Sequence, residues 1–243
     1  ENVAMEKTDD AVIKAIDYFI EKDLEWLKST GTAVIANVAG KTLDDYKTIC
    51  EKLDGKVDMV ELNISCPNVK SGGMAFGIKP ETVEEVTRYA KSGLKKTPLM
   101  VKLSPNVESI AANALAAERG GADCVSLINT LTGMAIDIER RRPIIANNTG
   151  GVSGAGVKPI AVRMVYEVAQ AVKIPVIGMG GITCAEDAIE FLMAGATAVQ
   201  VGTANFTDPL VCPKIIEGLN AWCDSHGVQN VSELTGTLQL NGK

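Results

Sequence analysis

Short apolar runs alternate with stretches of helical spacing along nearly the whole chain, and this alternation narrows the possible folds sharply. The runs at 32–38, 57–64, 98–103, 122–128, 174–181 and 196–202 have the length and composition of buried strands. Between them the apolar residues recur every three or four positions, as in Leu43, Tyr46, Ile49, Cys50 and Leu53. That spacing predicts helices over 11–27, 43–53, 80–93, 107–119, 158–172, 185–194 and 208–223. Pro80 sits near one helix start, and Gly120-Gly121 closes another. Strands apolar on both faces, each followed by a helix, predict parallel strands under covering helices. Six strands are counted, whereas a closed barrel needs eight. The expected fold class is therefore α/β, a (βα)8 TIM barrel with the first two strands missing from this chain. An open doubly wound sheet is the alternative. The barrel is preferred because polar residues or glycines end nearly every strand, at Asn37, Asn63, Lys102, Asn129, Gly180 and Gly202. A barrel gathers all such ends on one face.

The last two strands each end in glycine, at Gly178-Met179-Gly180-Gly181 and Gln200-Val201-Gly202-Thr203. Two adjacent strand ends without bulky side chains bring bare backbone N–H groups together, an arrangement that suits a phosphate. In eight-stranded βα barrels the loops after strands seven and eight often hold one. The plainer reading is that these glycines only make tight turns. The same comparison applies to Gly150-Gly151-Val152-Ser153-Gly154, just ahead of the helix at Lys158-Pro159.

The 243 residues suit one barrel-sized domain. A net charge of -6 offers no bulk attraction to nucleic acid or an anionic membrane. Arg140-Arg141-Arg142 is a local basic run, read as a solvated or interface patch. No apolar stretch is long enough to span a membrane, and there is no signal-peptide pattern. Six cysteines without a CxxC pair argue against disulfides and zinc and for a reducing cytoplasm. The single histidine, His226, lies in a polar tail, so acid–base work falls to other side chains. No metal site is expected.

The most informative stretch is Glu61-Leu62-Asn63-Ile64-Ser65-Cys66-Pro67-Asn68. A strand ends in Asn63, and a loop then presents Cys66 and Asn68. Carboxamides on both sides suit a planar heterocycle with alternating N–H and C=O groups. Cys66 is open to three readings: nucleophile, base, or inert small hydrophobe. The segment after it carries Gly72, Gly73 and Gly77, as a mobile lid would. Lys102, ending its strand, can set positive charge beside an anionic ring; the plain reading is a surface lysine. Asn129 and Thr130 add hydrogen-bonding groups at the next strand end. The insertion 129–156 follows, and its Arg142-Pro143-Ile144-Ile145-Ala146 is expected to form part of a hairpin.

Taken together, these stretches resemble the class 1 dihydroorotate dehydrogenases, FMN-containing barrels of pyrimidine biosynthesis. The resemblance rests on Ala36-Asn37-Val38-Ala39-Gly40, Asn63-Ile64-Ser65-Cys66-Pro67-Asn68-Val69, Val101-Lys102-Leu103-Ser104-Pro105-Asn106 and Ile128-Asn129-Thr130. It continues through Gly133-Met134-Ala135-Ile136-Asp137, Gly178-Met179-Gly180-Gly181-Ile182 and Val201-Gly202-Thr203-Ala204-Asn205-Phe206. The run Lys70-Ser71-Gly72-Gly73-Met74-Ala75-Phe76-Gly77 is similar to the NAD-linked subclass, 1B. The resemblance implies one FMN-binding barrel domain over 1–243, with 1–16 atypical for the family. It implies that Cys66 is the base that takes the C5 proton of dihydroorotate while the C6 hydride passes to FMN. Asn63, Asn68, Asn129 and Thr130 match substrate-binding positions. Asn37, Asn63, Lys102 and Ile128 match contacts to the flavin ring and ribityl chain. Gly154, Gly180, Gly181, Gly202 and Thr203 match the phosphate end. It further implies a homodimer, with 129–156 as a candidate contact, and a heterotetramer with a subunit carrying FAD and a 2Fe-2S cluster that passes electrons to NAD. The family's early strands, with their Ala-Ser-Gly turn, lysine and Met-Leu-Asn stretch, have no match here. The rival readings are a dihydropyrimidine dehydrogenase-like flavin barrel, a non-catalytic remnant that binds no flavin, and an unrelated sugar-phosphate barrel.

Overall fold

The computed structural model describes residues 10–65 and 76–242. The chain divides into two compact units, one of Glu1–Leu103 with Ala112–Val125, the other of Ser104–Ala111 with Ser126–Lys243.

In the first unit, β1 (Ile35–Val38), β2 (Met59–Asn63) and β3 (Leu99–Lys102) pair in parallel, with β4 (Cys124–Leu127) next in order. The register sets Asn37 opposite Glu61, Glu61 opposite Met100, and Asn63 opposite Lys102. Side chains alternate faces along a strand. One face therefore carries Ala36, Val38, Val60, Leu62, Leu99 and Val101, all buried. Each fully buried valine or leucine contributes roughly 1.5–3 kcal/mol of hydrophobic stabilisation. The other face carries Ile35, Asn37, Met59, Glu61, Asn63, Met100 and Lys102. The expectation of strands apolar on both faces is corrected in part: this second face is mixed, with Ile35, Met59 and Met100 beside Asn37, Glu61, Asn63 and Lys102.

α1 (Asp10–Tyr18) runs through a π turn at Phe19–Asp23 into α2 (Leu24–Ser29), so the single helix expected over 11–27 is interrupted by a wider turn. α3 (Leu43–Leu53) begins in a capping box, with Thr42 and Asp45 each accepting from the other's backbone N–H. α4 (Pro80–Ser92) has its proline in the first turn, and packs on α3. α5 (Ile110–Arg119) starts later than the predicted 107; the Asn106 side chain, which could cap a helix from 107, is bonded to the main chain at Thr130 and Thr132 instead.

In the second unit β9 (Val176–Met179) and β10 (Ala198–Gln200) pair in parallel. Between β4 and α6 (Lys158–Ala171) lies the insertion, made of two small antiparallel ladders. β5 (Leu131–Gly133) pairs with β8 (Gly150–Val152), and β6 (Ile136–Asp137) with β7 (Arg142–Pro143). The second ladder is the hairpin foreseen at Arg142. α7 (Ala185–Met193), α8 (Ala204–Thr207) and α9 (Val211–His226) complete the unit. Leu234 closes a small core against Ile189 and Leu192, joined by Leu219 and Trp222. No described helix is long and apolar enough to cross a membrane.

Candidate active site

Three of the expected site residues share the mixed face of the first unit. Asn37 donates its carboxamide N–H to the Glu61 carboxylate. Asn63 and Lys102 stand as register partners at the ends of β2 and β3. The Asn63 carbonyl accepts from the Tyr46 hydroxyl at 3.0 Å, and its side-chain oxygen accepts from the Ser65 N–H at 3.3 Å. The Ser65 hydroxyl donates to the Lys102 carbonyl at 3.2 Å, tying the two strand ends together. Cys66 and Asn68 lie outside the described residues, as do Gly72 and Gly73. The residues on either side are held firmly. After the segment, buried Asn113 donates to the carbonyls of Gly77 at 3.1 Å and Ile78 at 3.2 Å. The Thr82 hydroxyl donates to the Phe76 carbonyl at 3.0 Å, and the Phe76 ring meets Tyr46 edge-on.

The remaining expected residues belong to the second unit. The Leu127–Ile128 peptide bond is cis, and the Ile128 N–H donates to the Met179 carbonyl at 2.9 Å. Asn129 accepts from the Thr130 N–H at 2.8 Å. Asn106 clamps the following turn: its amide donates to the Thr130 carbonyl at 3.0 Å, and its oxygen accepts from the Thr132 N–H at 2.9 Å. Thr130 in turn presses on Gly151, where an added Cβ would lie 2.3 Å from the threonine hydroxyl.

The glycines at the strand ends separate into two kinds. Gly180 has φ +128°, and a Cβ there would stand 2.9 Å from the Ala161 Cβ. Gly181 has φ +80°, and a Cβ would stand 2.8 Å from the Gly154 carbonyl oxygen and 2.9 Å from the Lys158 nitrogen. Backbone and packing alone account for these two. Gly202 differs: its φ is outside the left-handed region and nothing lies within 4 Å of the Cβ it lacks. It leaves open space at the end of β10, where a ligand oxygen could approach the main chain. Thr203 donates its hydroxyl to Ser153 at 2.8 Å, joining this turn to the loop before α6. Asn205 occupies the Val201 carbonyl at 2.8 Å and the Gly202 carbonyl at 3.1 Å. The turn Ala155–Val157 leads directly into α6; the Val157 N–H is taken by the Gly154 carbonyl, the Lys158 N–H by the Ala155 carbonyl, and Pro159 has none to offer. An open glycine and two joined hydroxyls fit the phosphate of a nucleotide cofactor.

Lys158 adds no free charge there. Its ammonium donates to Asp187 and to Glu190, both at 2.6 Å. Those carboxylates hold Lys158 above the usual ammonium range. Burial works to raise the Asp187 carboxyl, but the bonds from Lys158 and Thr183 outweigh it and hold the group well below the usual carboxylate range. Two other cysteines are poor bases: burial pushes the thiols of Cys50 and Cys124 up to about 12.

Sequence reasoning left Glu61, Asn106, Ser153 and Asn205 without roles. Glu61 carried a usable signal, since it lies two residues before Asn63 and so shares its face. Asn106 and Asn205 gave none, because their partners are main-chain groups set by chain folding.

The family model described as dihydroorotate dehydrogenase matches residues 12–222. The catalytic subunit of dihydroorotate dehydrogenase B (NAD(+)) from Alkaliphilus metalliredigens (strain QYMF) is 53% identical over 224 residues, covering 92% of this chain and 74% of the relative. The protein of the same name from Bacteroides fragilis (strain YCH46) is 55% identical over 230 residues, covering 93% and 75%. That from Geotalea uraniireducens (strain Rf4) is 54% identical over 225 residues, covering 92% and 73%. With the parallel strands, the polar strand ends and these matches in hand, the chain belongs to the dihydroorotate dehydrogenase family, an oxidoreductase family of the (βα)8-barrel class.

Proposed function

We propose that this chain oxidises dihydroorotate to orotate with FMN, in de novo pyrimidine biosynthesis, as the catalytic subunit of an NAD-linked enzyme. The observation that carries the reading is the Asn63–Lys102 register pair, with Asn37 on the same face, in a chain that the family matches over 12–222. FMN, when bound, supplies the acceptor for the C6 hydride. Cys66 takes the C5 proton, and a thiol whose ordinary pKa is about 8.5 needs only modest tuning for that task. Asn63, Asn68, Asn129 and Thr130 hold the substrate's N–H and C=O groups. Lys102 places a positive charge where the electron pair arrives, which favours the reduced ring. Asn37 and Ile128 border that ring. Gly202 and Thr203 leave room for the phosphate, while Gly154, Gly180 and Gly181 shape the wall behind it.

The same reading takes 1–243 as one flavin-binding domain. It has the chain form a homodimer and join a subunit carrying FAD and a 2Fe-2S cluster, which hands the electrons to NAD. The same reading places the enzyme in the cytoplasm. The test is flavin content and turnover together. The purified protein should release close to one FMN per chain and oxidise dihydroorotate in preference to dihydrouracil. Cys66→Ala should keep the flavin and lose substrate oxidation; normal turnover in that variant would remove Cys66 from the mechanism.

A further inference from the structure

Glu61 lies in the middle of β2, 5% exposed, and the mechanism above gives it nothing to do. Its carboxylate accepts a hydrogen bond from the Asn37 side-chain nitrogen, and the two residues are direct partners in the β1–β2 register. Asn37 itself is exposed at the end of β1. A carboxamide has a donor end and an acceptor end. Committing one N–H to a buried carboxylate fixes which way round the amide lies and turns its carbonyl oxygen, the one acceptor, toward a ligand. Reversing the amide would set its oxygen against the carboxylate oxygens, with no proton between them.

We infer that Glu61 is a positioning residue: it locks the Asn37 carboxamide so that its oxygen faces the cofactor. The group recognised there must then be a donor. In the oxidised isoalloxazine ring that is the N3–H, and on the ribityl chain it is a hydroxyl. This inference rests on the flavin reading above and assigns the hydrogen-bonding polarity of one of its contacts.

The test exchanges the polarity of the pair and reads FMN affinity on flavin-stripped protein by fluorescence quenching, beside the melting temperature of the flavin-free chain. Asn37→Asp sets two carboxyl groups against each other and should weaken FMN binding at least tenfold. The double variant Asn37→Asp with Glu61→Gln restores a donor on β2 and keeps an acceptor toward the cofactor. Its FMN affinity should return to within about threefold of the original. Glu61→Ala, which frees the amide to turn, should weaken binding at least tenfold and covers the case in which Asn37→Asp does not fold. A double variant that regains its melting temperature while staying as weak as Asn37→Asp overturns the inference, because Asn37 would then be offering its donor end. Unchanged affinity in Glu61→Ala overturns it as well. If the unsubstituted chain binds no FMN, the flavin reading itself has failed, and this inference falls with it.

Discussion

Gly180 and Gly202 look alike as glycines ending consecutive strands, yet they answer to different physics. At Gly180 a methyl group meets Ala161 at 2.9 Å on a backbone with φ +128°. Gly180→Ala should therefore destabilise the flavin-free chain by about 1–3 kcal/mol, read as a loss of urea midpoint. At Gly202 the space is open, so Gly202→Val should leave that midpoint within about 0.5 kcal/mol. Its effect should appear in FMN affinity, as a loss of at least tenfold. Equal affinities would place the phosphate elsewhere. The ion cluster at Asp187 makes a pH-dependent prediction. Its carboxyl is held low in the folded chain, so the unfolded chain takes up the proton first as pH falls. The stability it contributes is present above the ordinary aspartate value near 3.9 and is lost below it. Lys158 is held high, so its share persists up to about pH 10.4 and is lost as pH rises beyond that. Asp187→Asn should lower the urea midpoint at neutral pH, and the gap to the unsubstituted chain should narrow toward about pH 3. A gap that stays constant across that range would mean the charge contributes nothing.

At the scale of the element, α3 shows how closely local chemistry can set a boundary. The predicted start at Leu43 and end at Leu53 match the observed helix, because Thr42 and Asp45 satisfy each other's backbone and the apolar positions share one face. Asp45 accepts from the Lys41 N–H at 2.8 Å as well as from Thr42 at 3.1 Å. Thr42→Ala should cost about 1 kcal/mol, measured by thermal or urea unfolding. No loss would mean that tertiary packing alone starts the helix. The strands were equally legible in position and less so in character. Met59–Asn63 reads as an apolar run, yet its register sets Glu61 and Asn63 in one row with Asn37 and Lys102. Periodicity of two was present in those five residues all along, but it acquires meaning only once neighbouring strands are aligned.

For the whole molecule, the insertion 129–156 carries an unusual share of exposed aliphatic side chains. Ile138 is 79% exposed and Ile144 67% exposed, on the hairpin of β6 and β7 and just beyond it. Exposed apolar groups in one segment accord with the proposed homodimer contact. Ile138→Glu with Ile144→Glu should shift the protein toward monomer in light scattering, and an unchanged mass would move the contact elsewhere. The order of strands and helices, the polar strand ends and the family were all legible in the chain itself. They depend on spacing, turn chemistry and short motifs, which act over a few residues. The partners were not legible: Ser153 is joined to Thr203 fifty residues away, and Lys158 is neutralised by Asp187 twenty-nine residues away. The same holds for Asn37 and Glu61, and for the packing that demands glycine at 180 but not at 202. Those choices were made by tertiary structure, because a hydrogen bond or a steric clash depends on which atoms the fold brings within a few ångströms, and sequence separation does not encode that distance.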